Sequence, residues 1–236
     1  MGLFRFKRFS IDDTGCAMKI GTDGVLLGAW VNSHVSDARS IIDVGAGCGL
    51  IGLMIANKFQ DATVDFIEID KSASETASSN IYAQGLERRC TVHNCNITDF
   101  KVDREYDLIV SNPPFFLNGV VAPCDARAMA RHARELSPTS LIDFAVDNLA
   151  DDGLLAMIVP AEQSESIEEY AAFKRLCLCD LLVVSQSTSA KPKRAILGFS
   201  KSDRPRIVER LTIRTTDKTD YTPEYKALTG DYYINF

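Results

Sequence analysis

The feature that most constrains the fold is a glycine-rich run, Asp-Val-Gly-Ala-Gly-Cys-Gly at residues 43–49, between a strand-like and a helix-like segment. Residues 40–44 are mostly apolar and β-branched, as in a buried parallel strand, and residues 50–59 have the apolar spacing of a helix. Glycines let the chain turn sharply and allow a ligand to approach the backbone. The run predicts a strand–turn–helix unit that binds a ligand; a tight turn without a ligand is the alternative.

Strand-like and helix-like segments alternate along most of the chain. The expected strands are 40–44, 63–69, 90–93, 106–111, 154–159, 178–184, 194–200 and 207–214. The expected helices are 50–59, 72–84, 138–149 and 163–176, with Ser137 as N-cap and Pro138 as first helical residue. This alternation predicts an α/β fold with a doubly wound, mostly parallel sheet and a ligand at the strands' carboxyl ends. The last strands lack helices between them, so an antiparallel edge strand is expected.

Length and composition predict one domain, residues 1–236, with a short N-terminal extension over about residues 1–38. No apolar run approaches the roughly 20 residues of a membrane helix, and the N-terminus lacks a signal-peptide core. The seven cysteines are odd in number and scattered, which favours a reduced cytoplasmic protein over a disulfide scaffold. The three histidines show no metal-ligand spacing with cysteines, so no metal is expected.

The charge pattern leaves the substrate open. A net charge of −6 and a pI near 5.1 argue against tight nonspecific binding to nucleic acid. Phosphate contacts depend on local patches, however, and two basic patches exist, at residues 5–8 (Arg-Phe-Lys-Arg) and 191–194 (Lys-Pro-Lys-Arg).

Acidic residues at the strand ends indicate the kind of ligand. The glycine spacing is G-x-G-x-G rather than the G-x-G-x-x-G of a dinucleotide site, and Asp43 would repel a pyrophosphate. Asp43 could instead favour a cation, such as the amino-acid end of S-adenosylmethionine. Glu68 and Asp70 both end the next strand, and either could accept hydrogen bonds from a ribose or merely cap a helix. An Asp-Phe pair at residues 99–100 could contact an adenine, although such a pair is usually loop and core.

A second motif, Asn-Pro-Pro-Phe at residues 112–115, follows the predicted strand 106–111. The Asn112 side chain and the Pro113 carbonyl offer two acceptors to a planar NH2 group, and Phe115 offers a flat surface for the ring or amide that bears it. A proline-rich turn with an Asn cap is the alternative. That alternative does not explain two prolines beside an aromatic directly after a buried strand.

Together these motifs resemble a class I S-adenosylmethionine-dependent methyltransferase, whose Rossmann-like sheet has seven strands. The segment Lys-Ile-Gly-Thr-Asp at residues 19–23 narrows the resemblance to the bacterial tRNA(Val) adenine-37 N6-methyltransferases. The similarity spans essentially the whole chain, including Ala-Arg-His-Ala-Arg at residues 130–134 and the basic run at 191–194. The glycine-rich motif is generic, and the Asn-Pro-Pro-Phe motif is specific to methylation of amino groups.

Carried over by position, the resemblance implies which residues contact each ligand. The residues at the cofactor, S-adenosylmethionine, are Thr22, Asp23, Asp43, Gly45, Gly47, Glu68, Asp99 and Phe100. The residues at the target amine are Asn112, Pro113, Pro114 and Phe115, where Phe115 replaces the more frequent Tyr. The residues at the tRNA are Arg131, Lys191, Lys193 and Arg194. For the basic run at 191–194 the alternative is a solvated hairpin tip. For Arg131 the alternative is a solvated helical face.

The resemblance therefore implies methylation of adenine N6 in a tRNA, at adenine 37 of a valine tRNA. A rival function is methylation of a glutamine side chain in a protein such as a release factor, because an amide is also a planar NH2 group. That family usually has an N-terminal helical domain, for which about 38 residues leave no room. The third alternative, an RNA-binding protein without turnover, conflicts with the intact Asn112 and Pro113. No obligate protein partner is evident.

Overall fold

The computed structural model describes residues 2–101, 104–114, 136–217 and 219–235. Its strands are β1 (Leu3–Arg5), β2 (Ser10–Asp12), β3 (Ser40–Val44), β4 (Thr63–Ile67), β5 (Cys90–His93), β6 (Tyr106–Ser111), β7 (Leu149–Pro160), β8 (Cys177–Ser185), β9 (Pro192–Ser200) and β10 (Ile207–Thr212). Its α-helices are α1 (Thr22–His34), α2 (Leu50–Lys58), α3 (Lys71–Ala83), α4 (Pro138–Asn148), α5 (Ser164–Phe173) and α6 (Pro223–Thr229). A 3₁₀ turn, Ala161–Gln163, precedes α5. In these ranges no helix combines the length and apolar character needed to cross a bilayer.

Eight strands of the described residues form one sheet in the order β10-β8-β9-β7-β6-β3-β4-β5. All neighbours are parallel except β9, which is antiparallel to both β7 and β8. Helices α1 and α2 pack in one apolar cluster and α4 and α5 in another, so the sheet is covered on both faces. This confirms the predicted α/β class and its mostly parallel, doubly wound sheet.

Two details of the predicted sheet were wrong. The main sheet has eight strands among the described residues, rather than the seven that the resemblance implied, and the antiparallel strand β9 lies inside this sheet rather than at its edge. Residues 195–200 are all buried, as in a central strand, whereas residues 207–210 of β10 are exposed and include a glutamate and an arginine. Exposed charges suit an edge strand because they discourage pairing with another chain. The parallel strand β10 therefore takes the edge.

Local signals placed several element ends correctly. Strands β3, β5 and β6 have the predicted bounds, and Ser137 caps α4 by accepting a hydrogen bond from the Ser140 N–H, with Pro138 as the first helical residue. Gly85 follows α3 with φ of +68°, the left-handed conformation that glycine adopts readily after a helix. The hydrogen bond to Ser137 thus confirms the N-cap that the sequence predicted.

Helix α1 was not predicted. Its start at Gly21 has no side-chain cap, and residues 24–31 are buried all round, so the segment lacks an amphipathic pattern. The helix packs against α2 so closely that a Cβ atom on Gly28 would lie 2.7 Å from the Met54 sulfur. Tertiary contacts with α2, rather than helical periodicity, therefore define α1.

The carboxyl ends of the parallel strands form one edge of the sheet, which we call the carboxyl edge. The glycine-rich turn follows β3 there, Glu68 follows β4 and Asn112 follows β6. Because β9 runs the opposite way, Arg194 near its start pairs with Pro160 at the end of β7. The turn between β8 and β9, residues 186–191, therefore lies at the same edge.

Candidate active site

The glycine-rich turn needs three left-handed residues. Gly45, Gly47 and Gly49 have φ of +71°, +57° and +82°. The N–H groups of Gly45 and Ala46 both donate to the Ile67 carbonyl, at 2.9 and 3.0 Å, which holds the turn against the end of β4. Residues other than glycine are strained at such φ values, so the G-x-G-x-G spacing follows from the backbone itself.

The space around these glycines differs. A Cβ atom on Gly45 would lie 2.3 Å from a terminal methyl group of the Leu136 side chain, which would have to move. A Cβ atom on Gly47 would meet nothing within 4 Å among the described residues. The backbone at Gly47 therefore borders open space, as a ligand cradle requires.

The Asp43 carboxylate is fully buried beneath this turn. Its Oδ2 accepts a hydrogen bond from the Gly52 N–H at 2.8 Å, whereas no described residue bonds its Oδ1. Burial raises the pKa of Asp43 to about 7; the Gly52 N–H opposes this shift and the nearby Glu68 adds to it. A buried acid with one unsatisfied oxygen suits a cationic ligand.

Glu68 and Asp70 have different environments. Glu68 accepts hydrogen bonds from the Gly47 N–H on Oε2 and the Asp70 N–H on Oε1, both at 2.8 Å, and only 9% of it is exposed. Asp70 caps α3 by accepting a hydrogen bond from the Ala73 N–H at 2.8 Å. Glu68 thus lies against the glycine-rich turn, while Asp70 has the capping role that the sequence left open for either residue.

The adenine-contact pair predicted at Asp99 and Phe100 lies in the loop after β5. Asp99 is exposed, and the half-buried Phe100 ring packs 4.8 Å from the ring of His93, centroid to centroid. His93 lies at the end of β5, so Phe100 is next to the carboxyl edge. The structure therefore brings Phe100 to the same edge of the sheet as Glu68.

Sequence reasoning missed a polar cluster behind this pair. Asp65 in β4 accepts hydrogen bonds from the Tyr106 hydroxyl at 2.8 Å and from Arg104, and lies 2.8 Å from His93 Nε2. Burial raises the pKa of Asp65, but its hydrogen bonds with His93, Tyr106 and Arg104 outweigh this effect and lower the pKa overall. A lone acid inside an apolar parallel strand was the signal for this cluster.

Asn80 was missed as well. This buried helix residue donates hydrogen bonds from Nδ2 to the Cys48 carbonyl at 2.9 Å and the Asp12 carbonyl at 2.8 Å, and its Oδ1 accepts from the Asp12 N–H. It therefore ties strand β2 to the glycine-rich turn. The sequence indicates this linking role only by the presence of an asparagine within a helix.

Asn112 lies directly after β6. Ser111 donates a hydrogen bond to the Val44 carbonyl at 2.7 Å, which fixes the end of β6 beside the end of β3. The Asn112 Oδ1 is buried without a hydrogen-bond partner among the described residues, and Pro113 is also buried. An unsatisfied amide oxygen next to the glycine-rich turn is an acceptor available to a ligand.

Pro114 is half-buried, and Phe115 and Arg131 lie outside the described residues.

The N-terminal pair, Thr22 and Asp23, begins α1. A Cβ atom on the adjacent Gly24 would lie 3.0 Å from Leu50, the first residue of α2 after the glycine-rich turn. Lys19, next to this pair, donates hydrogen bonds to the carbonyls of Asp13 and Thr14. Thr22 and Asp23 are therefore beside the start of the helix that borders the cradle.

The predicted tRNA-binding run separates into two environments. Lys191 and Lys193 are exposed at the carboxyl edge. Arg194 instead donates a hydrogen bond from Nε to Asp23 Oδ2 at 2.7 Å, and each side chain is 27% exposed. Arg194, which was predicted to contact the tRNA, is thus in direct contact with Asp23, which was predicted to contact the cofactor.

Solved structures with the same architecture support a methyltransferase fold. A predicted O-methyltransferase from Agrobacterium tumefaciens superposes with a TM-score of 0.67 at 19% identity, covering 91% of this chain and all of that one. A methyltransferase from Pyrococcus furiosus superposes with a TM-score of 0.57 at 19% identity, covering 80% and 91%. At these identities the likeness concerns the fold alone.

Comparison with protein families matches residues 23–167 to the methyltransferase small domain. That range contains the glycine-rich turn, Glu68 and Asn112. The fold, the site and this match define the chain as a methyltransferase of that class.

Relatives that match along nearly their whole length narrow the family. The tRNA1(Val) (adenine(37)-N6)-methyltransferase of Trichodesmium erythraeum is 41% identical over 238 residues, covering 99% of this chain and 98% of the relative. Those of Porphyromonas gingivalis and Tolumonas auensis are 39% and 37% identical, covering 98% of this chain and 94% and 96% of the relatives. The chain belongs to the tRNA1(Val) (adenine(37)-N6)-methyltransferase family, which confirms the resemblance found in the sequence.

Proposed function

We propose that this protein transfers the methyl group of S-adenosylmethionine to N6 of an adenine in tRNA, at adenine 37 of a valine tRNA as the names of its relatives state. The observation that supports this most is the unsatisfied Asn112 Oδ1, next to the glycine-rich turn to which we assign the cofactor. It offers a hydrogen-bond acceptor at the point where an amino group must be held. We further propose that the chain acts as a single domain, in the cytoplasm, without an obligate protein partner.

The residues of the carboxyl edge fit this cofactor. S-adenosylmethionine supplies an electrophilic methyl group on a positively charged sulfur. Asp43 and Glu68 provide two acids, which favour a cationic ligand and disfavour a pyrophosphate. A Cβ atom on Gly47 would meet nothing within 4 Å among the described residues, and we place the methionine moiety in this open space, with Thr22 and Asp23 beside it. We place the ribose at Glu68 and the adenine of the cofactor at Asp99 and Phe100.

The chain's own contribution to the reaction is orientation of the amine. The lone pair of an exocyclic adenine nitrogen is delocalised into the ring, so this nitrogen is a weak nucleophile. If Asn112 Oδ1 and the Pro113 carbonyl each accept one N–H, they hold the nitrogen with its lone pair directed at the methyl donor. Preorganised acceptors of this kind can lower a barrier by several kcal/mol. No strong base is needed, because the methylated nitrogen becomes acidic as the new bond forms.

A base inside an RNA loop must leave its stack to enter this pocket. We propose Phe115 as the surface on which it stacks, with Pro114 shaping the turn, and Arg131 as a contact to the flanking phosphates. Phe115→Ala should then weaken productive binding of the tRNA by about 1–3 kcal/mol.

The substrate class is tested by supplying labelled S-adenosylmethionine together with total tRNA, rRNA and protein from a strain that lacks this enzyme. Label should enter tRNA as N6-methyladenosine. Label in a glutamine side chain would favour the release-factor type of enzyme, and no label in any fraction would favour a binding protein without turnover.

The raised pKa of Asp43 predicts an unusual pH dependence of stability. The unfolded chain releases this proton near pH 3.8 and the folded chain near 7, so the stabilising contribution is complete below pH 3.8 and is lost as the pH rises through about 7. Asp43→Asn removes this loss. Between pH 5 and pH 8 the stability of the variant should therefore rise relative to wild type by about 2–3 kcal/mol.

Urea unfolding at several pH values measures this difference, and calorimetry at pH 8 should show weaker binding of S-adenosylmethionine to the variant. Asp107→Asn is a matched control, because Asp107 accepts hydrogen bonds from two backbone N–H groups at the start of β3, far from the site. Equal pH profiles for wild type and Asp43→Asn would contradict the prediction.

The exposed lysines predict the salt dependence of tRNA binding. If Lys191 and Lys193 meet phosphates, replacing both with Gln should weaken binding and lower the slope of log K against log salt by about one to two. Lys174→Gln with Lys201→Gln is the control, since both lysines lie at the opposite edge of the sheet. An unchanged slope in the first pair would show that the run is a solvated hairpin tip.

A further inference from the structure

One ion pair links the two halves of the proposed site. Arg194, near the start of β9, and Asp23, in the first turn of α1, are 171 positions apart in the sequence and meet at 2.7 Å. Both side chains are only 27% exposed, so the pair is partly shielded from water and salt. Such a pair is worth more than an exposed one, whose contribution is usually small.

Both ends of the pair are attached to rigid structure. The Arg194 backbone pairs with Pro160 of β7 on one side and Val184 of β8 on the other. Asp23 belongs to a helix whose next residue, Gly24, packs on Leu50 at the start of α2. The contact therefore fixes the hairpin tip relative to α1, which packs on the start of the helix that borders the cradle.

This arrangement changes the role expected for the arginine. We propose that Arg194 is a positioning residue: by pairing with Asp23 it holds the β8–β9 hairpin so that Lys191 and Lys193 face the same tRNA whose adenine reaches Asn112. The inference rests on the proposed function. In this role Arg194 does not contact a phosphate of the tRNA. Its contact with Asp23 instead sets the distance between the two lysines that face the phosphates and Asn112, which holds the adenine.

The two roles predict opposite effects of a change at Asp23. If Arg194 contacts phosphate directly, Asp23→Asn removes a competing negative charge, and tRNA should bind as tightly or more tightly. If Arg194 positions the hairpin, Asp23→Asn and Arg194→Gln each remove one of the opposite charges that hold the same contact, and both variants should bind tRNA more weakly. The two substitutions together should then do no more harm than either alone.

The experiment measures the Kd of an unmodified valine tRNA transcript by filter binding in the absence of cofactor, for wild type, Asp23→Asn, Arg194→Gln and the double variant. We expect about a tenfold rise in Kd for each of the three variants, as is typical for coupled neighbours. Arg206→Gln is the matched control, because it breaks a 2.8 Å pair with Glu168 at the opposite edge of the sheet.

An unchanged or lower Kd for Asp23→Asn, or losses that multiply in the double variant, would overturn the inference. If Arg194→Gln does not fold, Asp23→Asn still tests the proposal, since it preserves the shape of the Asp23 side chain. Failure of wild type to methylate the transcript would refute the proposed function and, with it, this inference. A wild type that methylates the transcript while Asp23→Asn binds it normally would refute the positioning role alone.

Discussion

Asn112→Ala should lower the kcat of tRNA methylation by about 100- to 1,000-fold and leave the affinity for S-adenosylmethionine nearly unchanged. This is the expected effect of removing one preorganised contact that is strongest in the transition state. The variant should be at least as stable as wild type, because the substitution removes a buried oxygen that has no partner among the described residues. Single-turnover kinetics with saturating tRNA and calorimetry with the cofactor measure the two effects separately.

Asn148→Ala is the matched control for this experiment. Asn148 is also half-buried, ends α4 at the opposite edge of the sheet, and donates one hydrogen bond to the Phe144 carbonyl at 2.9 Å. It should lose some stability and no activity. In cells that lack the enzyme, wild type and Asn148→Ala should restore N6-methyladenosine in tRNA, and Asn112→Ala should not. Full restoration by Asn112→Ala would mean that the Asn-Pro-Pro-Phe motif only shapes a turn.

Gly47→Leu should weaken the binding of S-adenosylmethionine by 100-fold or more, which corresponds to about 3 kcal/mol. The new side chain would fill the open space that we assign to the cofactor, and the φ of +57° would add strain. Strain of this kind costs about 1–2 kcal/mol of stability, so the protein should still fold. Calorimetry with the cofactor and thermal unfolding measure the two quantities.

Gly85→Leu separates the backbone effect from the loss of ligand space. Gly85 has a similar φ of +68°, and a Cβ atom there would also meet nothing within 4 Å among the described residues, but it follows α3 away from the site. Both variants should therefore lose a similar amount of stability, and only Gly47→Leu should lose the cofactor. Equal cofactor affinities in the two variants would place the cofactor elsewhere.

Local sequence signals were sufficient for much of the parallel sheet. Strands β3, β5 and β6 are short apolar runs with clear ends, and the three glycines between β3 and α2 are required by their positive φ values. The capping residue Ser137 also acts through a bond to the backbone N–H group of Ser140, three residues away. Such interactions need no distant partner, so a sequence pattern can predict them.

Helix α1 and the order of the last strands depended on distant contacts. The helix is buried on all sides by packing on α2 and neighbouring elements, and its sequence therefore shows no polar face. The position of β9 inside the sheet follows from its pairing with β7, which precedes it by more than thirty residues in the chain. Neither fact is visible in a local window of sequence.

The sequence by itself determined the fold class, the glycine-rich turn, and the family to which the chain belongs. Only the tertiary structure decided how the site residues are related: Asp43 is buried with a raised pKa, Asp70 caps a helix while Glu68 contacts the turn, and Arg194 pairs with Asp23. The physical reason is that residue types and short spacings fix backbone conformation, whereas burial, charge and pairing depend on which distant segments the fold brings together.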